Sequence, residues 1–226
     1  MKQRRLPETD LYGITASRFS LGRSNIEVVT QMLEAGIKII QYREKDMSIL
    51  RMYRECTAIR DLTAQYRACF IVNDYVDLAM AVESDGVHIG QDDLPPEKVR
   101  SLVGDKILIG LSTHSPEQAD IVVKSEIADY IGVGPLYKTF TKKDVQPPVG
   151  IQYLDYVVAK HELPFVAIGG IKEYNIGEVI KHGATYVCLV TEITGAYNIG
   201  LKIQSVREEI AKARAQLHSM ANKPKS

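Results

Sequence analysis

The 226 residues suffice for one large domain or two small ones, and 45% hydrophobic with 25% charged residues is the composition of an ordinary globular chain, which excludes a disordered, collagen-like or disulfide-scaffold protein. Lys plus Arg equals Asp plus Glu, 28 of each, so no overall field draws in a polyanion; nucleic-acid and acidic-membrane binding are not expected, and any anion site must be local. The three cysteines, Cys56, Cys69 and Cys188, lie far apart without C-x-x-C or metal-type spacing, and neither an export signal nor a membrane-length apolar run is present, so a reduced, cytoplasmic chain is expected.

Short β-rich apolar runs recur along the chain: LYGIT at 11–15, IKIIQY at 37–42, CFIVN at 69–73, GVHIG at 86–90, ILIGLS at 107–112, DYIGVG at 129–134, PFVAIGG at 164–170 and ATYVCLV at 184–190. Several are nearly continuous in hydrophobicity, as in strands covered on both faces. Between them lie segments with apolar positions three and four apart, among them NIEVVTQMLEAG, ILRMYRECTAIRDLTAQY, VDLAMAVES, SPEQADIVVKSE and YNIGEVIKHG, which predict amphipathic helices. Each interval fits one strand, one helix and short loops, and an eight-unit parallel series closes most naturally into a (β/α)8 TIM barrel, an α/β fold in one domain. The rival, a doubly wound open sheet, lacks its fingerprint: Gly13 lies inside LYGIT and the next glycine is Gly22, so no G-x-G-x-x-G follows the first strand. The expected layout is an N-terminal extension over 1–10, a barrel over 11–219 and a flexible tail over 220–226, with MKQRRLPE and ANKPKS as the loose segments.

In such a barrel, chemistry sits at the carboxyl ends of the strands, and here nearly every strand ends in polar residues. Gln41, Arg43 and Lys45 alternate, so an amide and two cations share one face of the strand end and suit a multiply charged anion; a solvated loop is the bland alternative. Asp74 and Asp93 follow strands of neighbouring units, which brings two carboxylates within reach of one divalent cation. Magnesium is typically held by one or two carboxylates together with substrate phosphates. Each Asp also precedes a helical segment that it could cap.

The segment Thr139-Phe140-Thr141-Lys142-Lys143-Asp144 lies in the longest interval between strands and offers hydroxyls and ammoniums to phosphate oxygens. Gly169-Gly170 and the turn after VCLV fall where many barrels bind phosphate through backbone N–H groups. His88, mid-strand, reads as a packed barrel residue, His114 lies nearer the mouth, and Cys188 reads as core. No Ser-His-Asp or Cys-His order stands out.

Six motifs stand in order: QYREK (41–45), VND (72–74), DGVHIGQDD (85–93), GLSTH (110–114), GPLYKTFTKKD (134–144) and IGGI (168–171). Together they closely resemble the thiamine-phosphate synthases, (β/α)8 enzymes that join a pyrimidine methyl diphosphate to a thiazole phosphate and release diphosphate. The resemblance runs from about residue 11 to residue 212. It implies that Gln41, Arg43, Lys45, Asn73, Ser112 and Lys142 contact the pyrimidine diphosphate, that Asp74 and Asp93 hold Mg²⁺, and that Thr139, Thr141, Gly170, Val190 and Thr191 hold the thiazole phosphate. Arg43, Lys45, Ser112 and Lys142 are then the catalytic set, and Tyr42, Glu44 and Phe140 of the same motifs count among the substrate-binding positions.

The implied reaction is a dissociative substitution, with the two small molecules as partners and a homo-oligomer left open. One departure from the family pattern stands after the eighth strand, where a Ser and a small residue are expected and this chain has Thr191 and Glu192; a carboxylate there repels phosphate unless it points outward. Two alternatives share the barrel: a thiazole tautomerase and a non-catalytic binder of thiazole or thiamine phosphates. Neither needs the full set of Arg43, Lys45, Asp74, Asp93 and Lys142.

Overall fold

The computed structural model describes residues 5–141 and 147–221. Eight strands, β1 (Gly13–Ile14), β2 (Ile39–Tyr42), β3 (Cys69–Asn73), β4 (Gly86–Ile89), β5 (Leu108–Thr113), β6 (Tyr130–Val133), β7 (Phe165–Ile168) and β8 (Tyr186–Cys188), pair in parallel in chain order. A bridge between Leu11 and Val187, with Tyr12 N–H on the Val187 carbonyl at 3.0 Å and Val187 N–H on the Asp10 carbonyl at 2.9 Å, joins β8 back to β1. The crossovers carry α1 (Asn25–Glu34), α2 (Ile49–Gln65), α3 (Val76–Ala81), α4 (Pro96–Val103), α5 (Pro116–Ser125), α6 (Gly150–Lys160) and α7 (Ile176–Lys181). After β8 come the short α8 (Val190–Thr194) and the long α9 (Ile199–Ala221). The chain therefore adopts the (β/α)8 barrel expected from its pattern. No described helix is long and apolar enough to cross a membrane.

Local chemistry starts several helices. Ser24 and Glu27 form a capping box at α1, each side chain bonding the other's backbone N–H, which satisfies two otherwise orphaned donors. Ser48 caps α2, and Ser115 caps α5 just ahead of Pro116, where a missing N–H does no harm.

The period of two along each strand divides the hydrophobic residues into two cores. Ile40, Phe70, Val72, Val87, Ile109, Ile131, Ala167 and Val187 face outward against the helices, whereas Tyr12, Ile14, Ile39, Cys69, Ile71, Leu108, Tyr130, Val166 and Cys188 fill the barrel interior.

Two expectations need correction. Of the segment MKQRRLPE expected to be loose, residues 1–4 lie outside the described residues, and Leu6 is buried in the interior core; just beyond it, Asp10 accepts a paired hydrogen bond from Arg207 of α9, Nε to Oδ2 at 2.9 Å and Nη2 to Oδ1 at 3.1 Å. The ion pair ties the residue before the first barrel bridge to the last helix. The eighth strand also stops at Cys188 rather than Val190, because Val190 and Thr191 already open α8.

Candidate active site

A cavity of about 390 Å³ opens at the carboxyl ends of the strands. Inward-pointing positions supply its wall in alternation, Gln41 and Arg43 from the end of β2, Asn73 from β3, His88 from β4, and Ser112 and His114 from β5. The β6–α6 loop contributes Thr139, Phe140 and Thr141, and the ends of β7 and β8 contribute Gly170, Val190 and Thr191. Gln41, Arg43, Asn73, Ser112 and His114 of the expected ring thus share one mouth with Thr139, Phe140, Thr141, Gly170, Val190 and Thr191, whereas Lys45, Asp74 and Asp93 are not among its lining residues.

The β2–β5 side carries Arg43 in the cavity wall and, outside the lining, the charges of Lys45, Asp74 and Asp93. Thr15, fully buried, accepts the Arg43 backbone N–H at 2.8 Å, fixing the strand end from which the guanidinium projects. Lys45 makes an ion pair with Asp74. Asp74 sits in the left-handed region with φ 63°, a conformation aspartate tolerates better than most residues, and its N–H reaches the His88 carbonyl at 2.8 Å. Burial pushes the Asp74 carboxyl above the usual carboxylate range; Lys45 pulls it down, and the neighbouring Asp93 pushes it up again.

Asp93 accepts the Gly90 N–H at 2.6 Å. Neither aspartate caps a helix: α3 and α4 start at Tyr75 and Pro95 without a side-chain cap. Two neighbouring carboxylates, with Asp93 raising the proton affinity of Asp74, make a hard oxygen donor pair that fits Mg²⁺. Among the described residues no group of three or more His, Cys, Asp or Glu could hold a metal ion.

The opposite side is built on the glycine pair after β7. Leu136 and Tyr137 donate their N–H groups to the Ile168 and Gly169 carbonyls at 3.0 and 2.9 Å, so the β6–α6 loop lies directly on Gly169-Gly170. A Cβ on Gly170, whose φ is +67°, would stand 2.6 Å from the Lys138 carbonyl oxygen. The Thr139 and Thr141 hydroxyls are 3.2 Å apart, and Phe140 is 77% exposed at the rim. Lys142, Lys143 and Asp144 lie outside the described residues.

Glu192 does not line the cavity. Its carboxylate lies 3.0 Å from Lys172 Nζ and 3.6 Å from Lys202 Nζ, and Lys202 in turn pairs with Glu173 at 2.6 Å. The outward alternative for Glu192 is the one adopted. Lys172, which the sequence reading missed, lines the cavity and donates to Thr191 Oγ1 at 3.2 Å. Its signal was faint, a single lysine three residues beyond Gly169.

Two substrate-binding expectations are corrected. Tyr42 faces outward, as the even alternate to Gln41 and Arg43 must, and its hydroxyl donates to Glu55 of α2 at 3.0 Å. Glu44 likewise turns away from the cavity, accepting from Ser17 N–H, Ser17 Oγ and Asn25 Nδ2 at 3.1, 2.8 and 2.9 Å. Both brace the β2 end against α1 and α2. His88, expected to be packed away, stands in the cavity floor beside Ser112, 2.9 Å from its hydroxyl.

The thiamine monophosphate synthase family model matches residues 11–193. A thiamine-phosphate synthase of Pelotomaculum thermopropionicum is 59% identical over 92% of this chain and 94% of that protein, and one of Lawsonia intracellularis is 58% identical over 90% and 93%. Among solved structures, a thiamine phosphate pyrophosphorylase from Pyrococcus furiosus superposes with a TM-score of 0.82 at 32% identity, over 91% of this chain and 97% of that one. The barrel, the polar rim and these likenesses agree: the chain belongs to the thiamine monophosphate synthase family, a family of transferases.

Proposed function

We propose that the chain joins a pyrimidine methyl diphosphate to a thiazole phosphate, forming thiamine phosphate and releasing diphosphate. The observation that carries this reading is the two-sided cavity, with Gln41, Arg43, Asn73 and Ser112 on the β2–β5 side and hydroxyls, glycine backbone and Lys172 on the β6–β8 side, together with the Lys45–Asp74–Asp93 cluster that follows β2, β3 and β4 outside the cavity lining. The names of its relatives support the same activity.

In this reading Gln41 and Asn73 orient the pyrimidine diphosphate, while Arg43, Lys45, Ser112 and Lys142 donate to its phosphate oxygens. Asp74 and Asp93 would hold Mg²⁺, whose charge supplies further neutralisation of the leaving group. Thr139, Thr141, Gly170, Val190, Thr191 and Lys172 hold the thiazole phosphate. The methylene–oxygen bond breaks first and its electron pair leaves with the diphosphate. The thiazole nitrogen then gives its lone pair to the methylene carbon.

No protein nucleophile is needed, only stabilisation of departing charge and two rings held in line. One charge pair about 4 Å apart at an effective dielectric of about 20 is worth about 4 kcal/mol before desolvation, so electrostatics dominates over acid–base catalysis. The buried thiols suit the reducing cytoplasm.

The test is to supply both substrates with Mg²⁺ and follow diphosphate. Release that requires both substrates supports the synthase. Isomerisation of a thiazole carboxylate phosphate alone, or saturable binding without turnover, overturns it in favour of a tautomerase or a binding protein.

A further inference from the structure

Beneath the cavity, polar side chains from five barrel positions are joined end to end. Gln41 Nε2 donates to the Tyr12 hydroxyl at 2.9 Å, the Tyr12 and Tyr130 hydroxyls are 2.9 Å apart, Tyr130 meets His88 Nδ1 at 3.0 Å, and His88 Nε2 meets Ser112 Oγ at 2.9 Å. Tyr12, Tyr130 and Gln41 are buried, in a space that barrels ordinarily fill with branched apolar side chains. Buried polar groups are costly unless bonded, and here the chain also keeps glycine inside β5 to admit them. A Cβ on Gly110 would stand 2.2 Å from Tyr130 Cζ and 2.5 Å from His88 Nδ1. Glycine within a strand weakens it and marks a close approach, so this arrangement runs against the interests of the fold alone.

We propose that this is a directed hydrogen-bond chain in which His88 is a positioning residue, holding Ser112 so that its hydroxyl proton faces the departing diphosphate. The proposal rests on the functional reading above. The direction follows from counting protons. The Gln41 amide nitrogen can only donate, so the Tyr12 oxygen accepts. Burial holds both tyrosine hydroxyls protonated, well above their ordinary range, so each has one proton to pass on: Tyr12 to Tyr130, and Tyr130 to His88 Nδ1. The ring proton therefore sits on Nε2 and is donated to Ser112 Oγ. That leaves the serine's own proton for the cavity. In the opposite sense, with the Gln41 oxygen toward Tyr12, Ser112 would spend its proton on the ring and present only lone pairs to an anion.

Two measurements test this. The first is ¹⁵N NMR of histidine-labelled wild-type protein, with the His88 resonances assigned by their loss in His88→Gln. A protonated Nε2 and a bare Nδ1 are expected; a protonated Nδ1 overturns the proposal. The second is steady-state kinetics of His88→Leu, His88→Gln and Ser112→Ala, singly and combined, with thermal unfolding checked for each. His88→Leu should lower kcat about tenfold, the scale on which orienting partners act, with KM for both substrates nearly unchanged. His88→Gln, which keeps an N–H toward Ser112, should recover most of that loss. In the Ser112→Ala background His88→Leu should have almost no further effect. A full tenfold loss in that background, or no recovery by glutamine in a folded variant, overturns the positioning role. Wild-type protein that fails to turn over the two substrates overturns the functional reading and this proposal with it.

Discussion

The Lys172 ammonium lies 3.0 Å from the Glu192 carboxylate and 3.2 Å from the Thr191 hydroxyl, so the residue that looked repulsive in the sequence serves to hold a cation at the β7–β8 rim. Lys172→Ala is expected to raise KM for the thiazole phosphate about tenfold with kcat little changed, the scale of one charge-assisted hydrogen bond. Glu192→Gln weakens that hold on Lys172 while keeping a hydrogen-bonding group, and should raise the same KM by less than Lys172→Ala does. Steady-state kinetics with the thiazole phosphate varied reads both.

Gly170→Ala places a methyl group against the Lys138 carbonyl at a positive φ. The left-handed backbone alone costs roughly 1–2 kcal/mol for a residue with a Cβ, and the loop bearing Thr139 and Thr141 must move. The expected outcome is a lowered denaturation midpoint together with an increase of about tenfold or more in KM for the thiazole phosphate. Denaturant titration and kinetics on the same sample check the pairing.

Leu6 plugs the amino-terminal end of the barrel from outside the eight-unit pattern. Leu6→Ala should destabilise by about 2–5 kcal/mol, seen as a lower urea midpoint with an unchanged slope, while kcat/KM at the opposite end of the barrel stays near wild type.

Asp10 and Arg207 give a pH signature. Burial works to raise the Asp10 carboxyl, but the paired hydrogen bonds and charge of Arg207 outweigh it and leave the group below its ordinary 3.8. A carboxyl lowered on folding contributes stability that is fully present above the unfolded value and is lost as pH falls through the folded one. Asp10→Asn should therefore be less stable than wild type by about 1–3 kcal/mol at neutral pH, and the gap should shrink as pH falls below about 3.8. Urea melts between pH 3 and pH 7 measure it.

The barrel was legible because strand runs and helical periods alternate along the whole chain, and CFIVN coincides with β3 residue for residue. Gln41 and Arg43 were equally legible from alternation, whereas Lys45, third in that series, pairs with Asp74 and does not line the cavity; alternation also excludes Tyr42 and Glu44, which the motif likeness had brought in although their parity and their partners on α1 and α2 put them on the other face. Leu6 was hidden because one apolar residue among charged ones carries no period. Lys172 and the Tyr12–Tyr130–His88 links were hidden because they arise only when strands distant in sequence meet across the barrel.

Asp74→Ala, assayed with both substrates at limiting Mg²⁺, tests most directly whether the β2–β5 rim works by stabilising the departing diphosphate. A fall of at least about a hundredfold in kcat/KM is predicted, comparable to removing one preorganised stabilising group, with the loss partly relieved as Mg²⁺ is raised. Turnover close to wild type at limiting Mg²⁺ would contradict it.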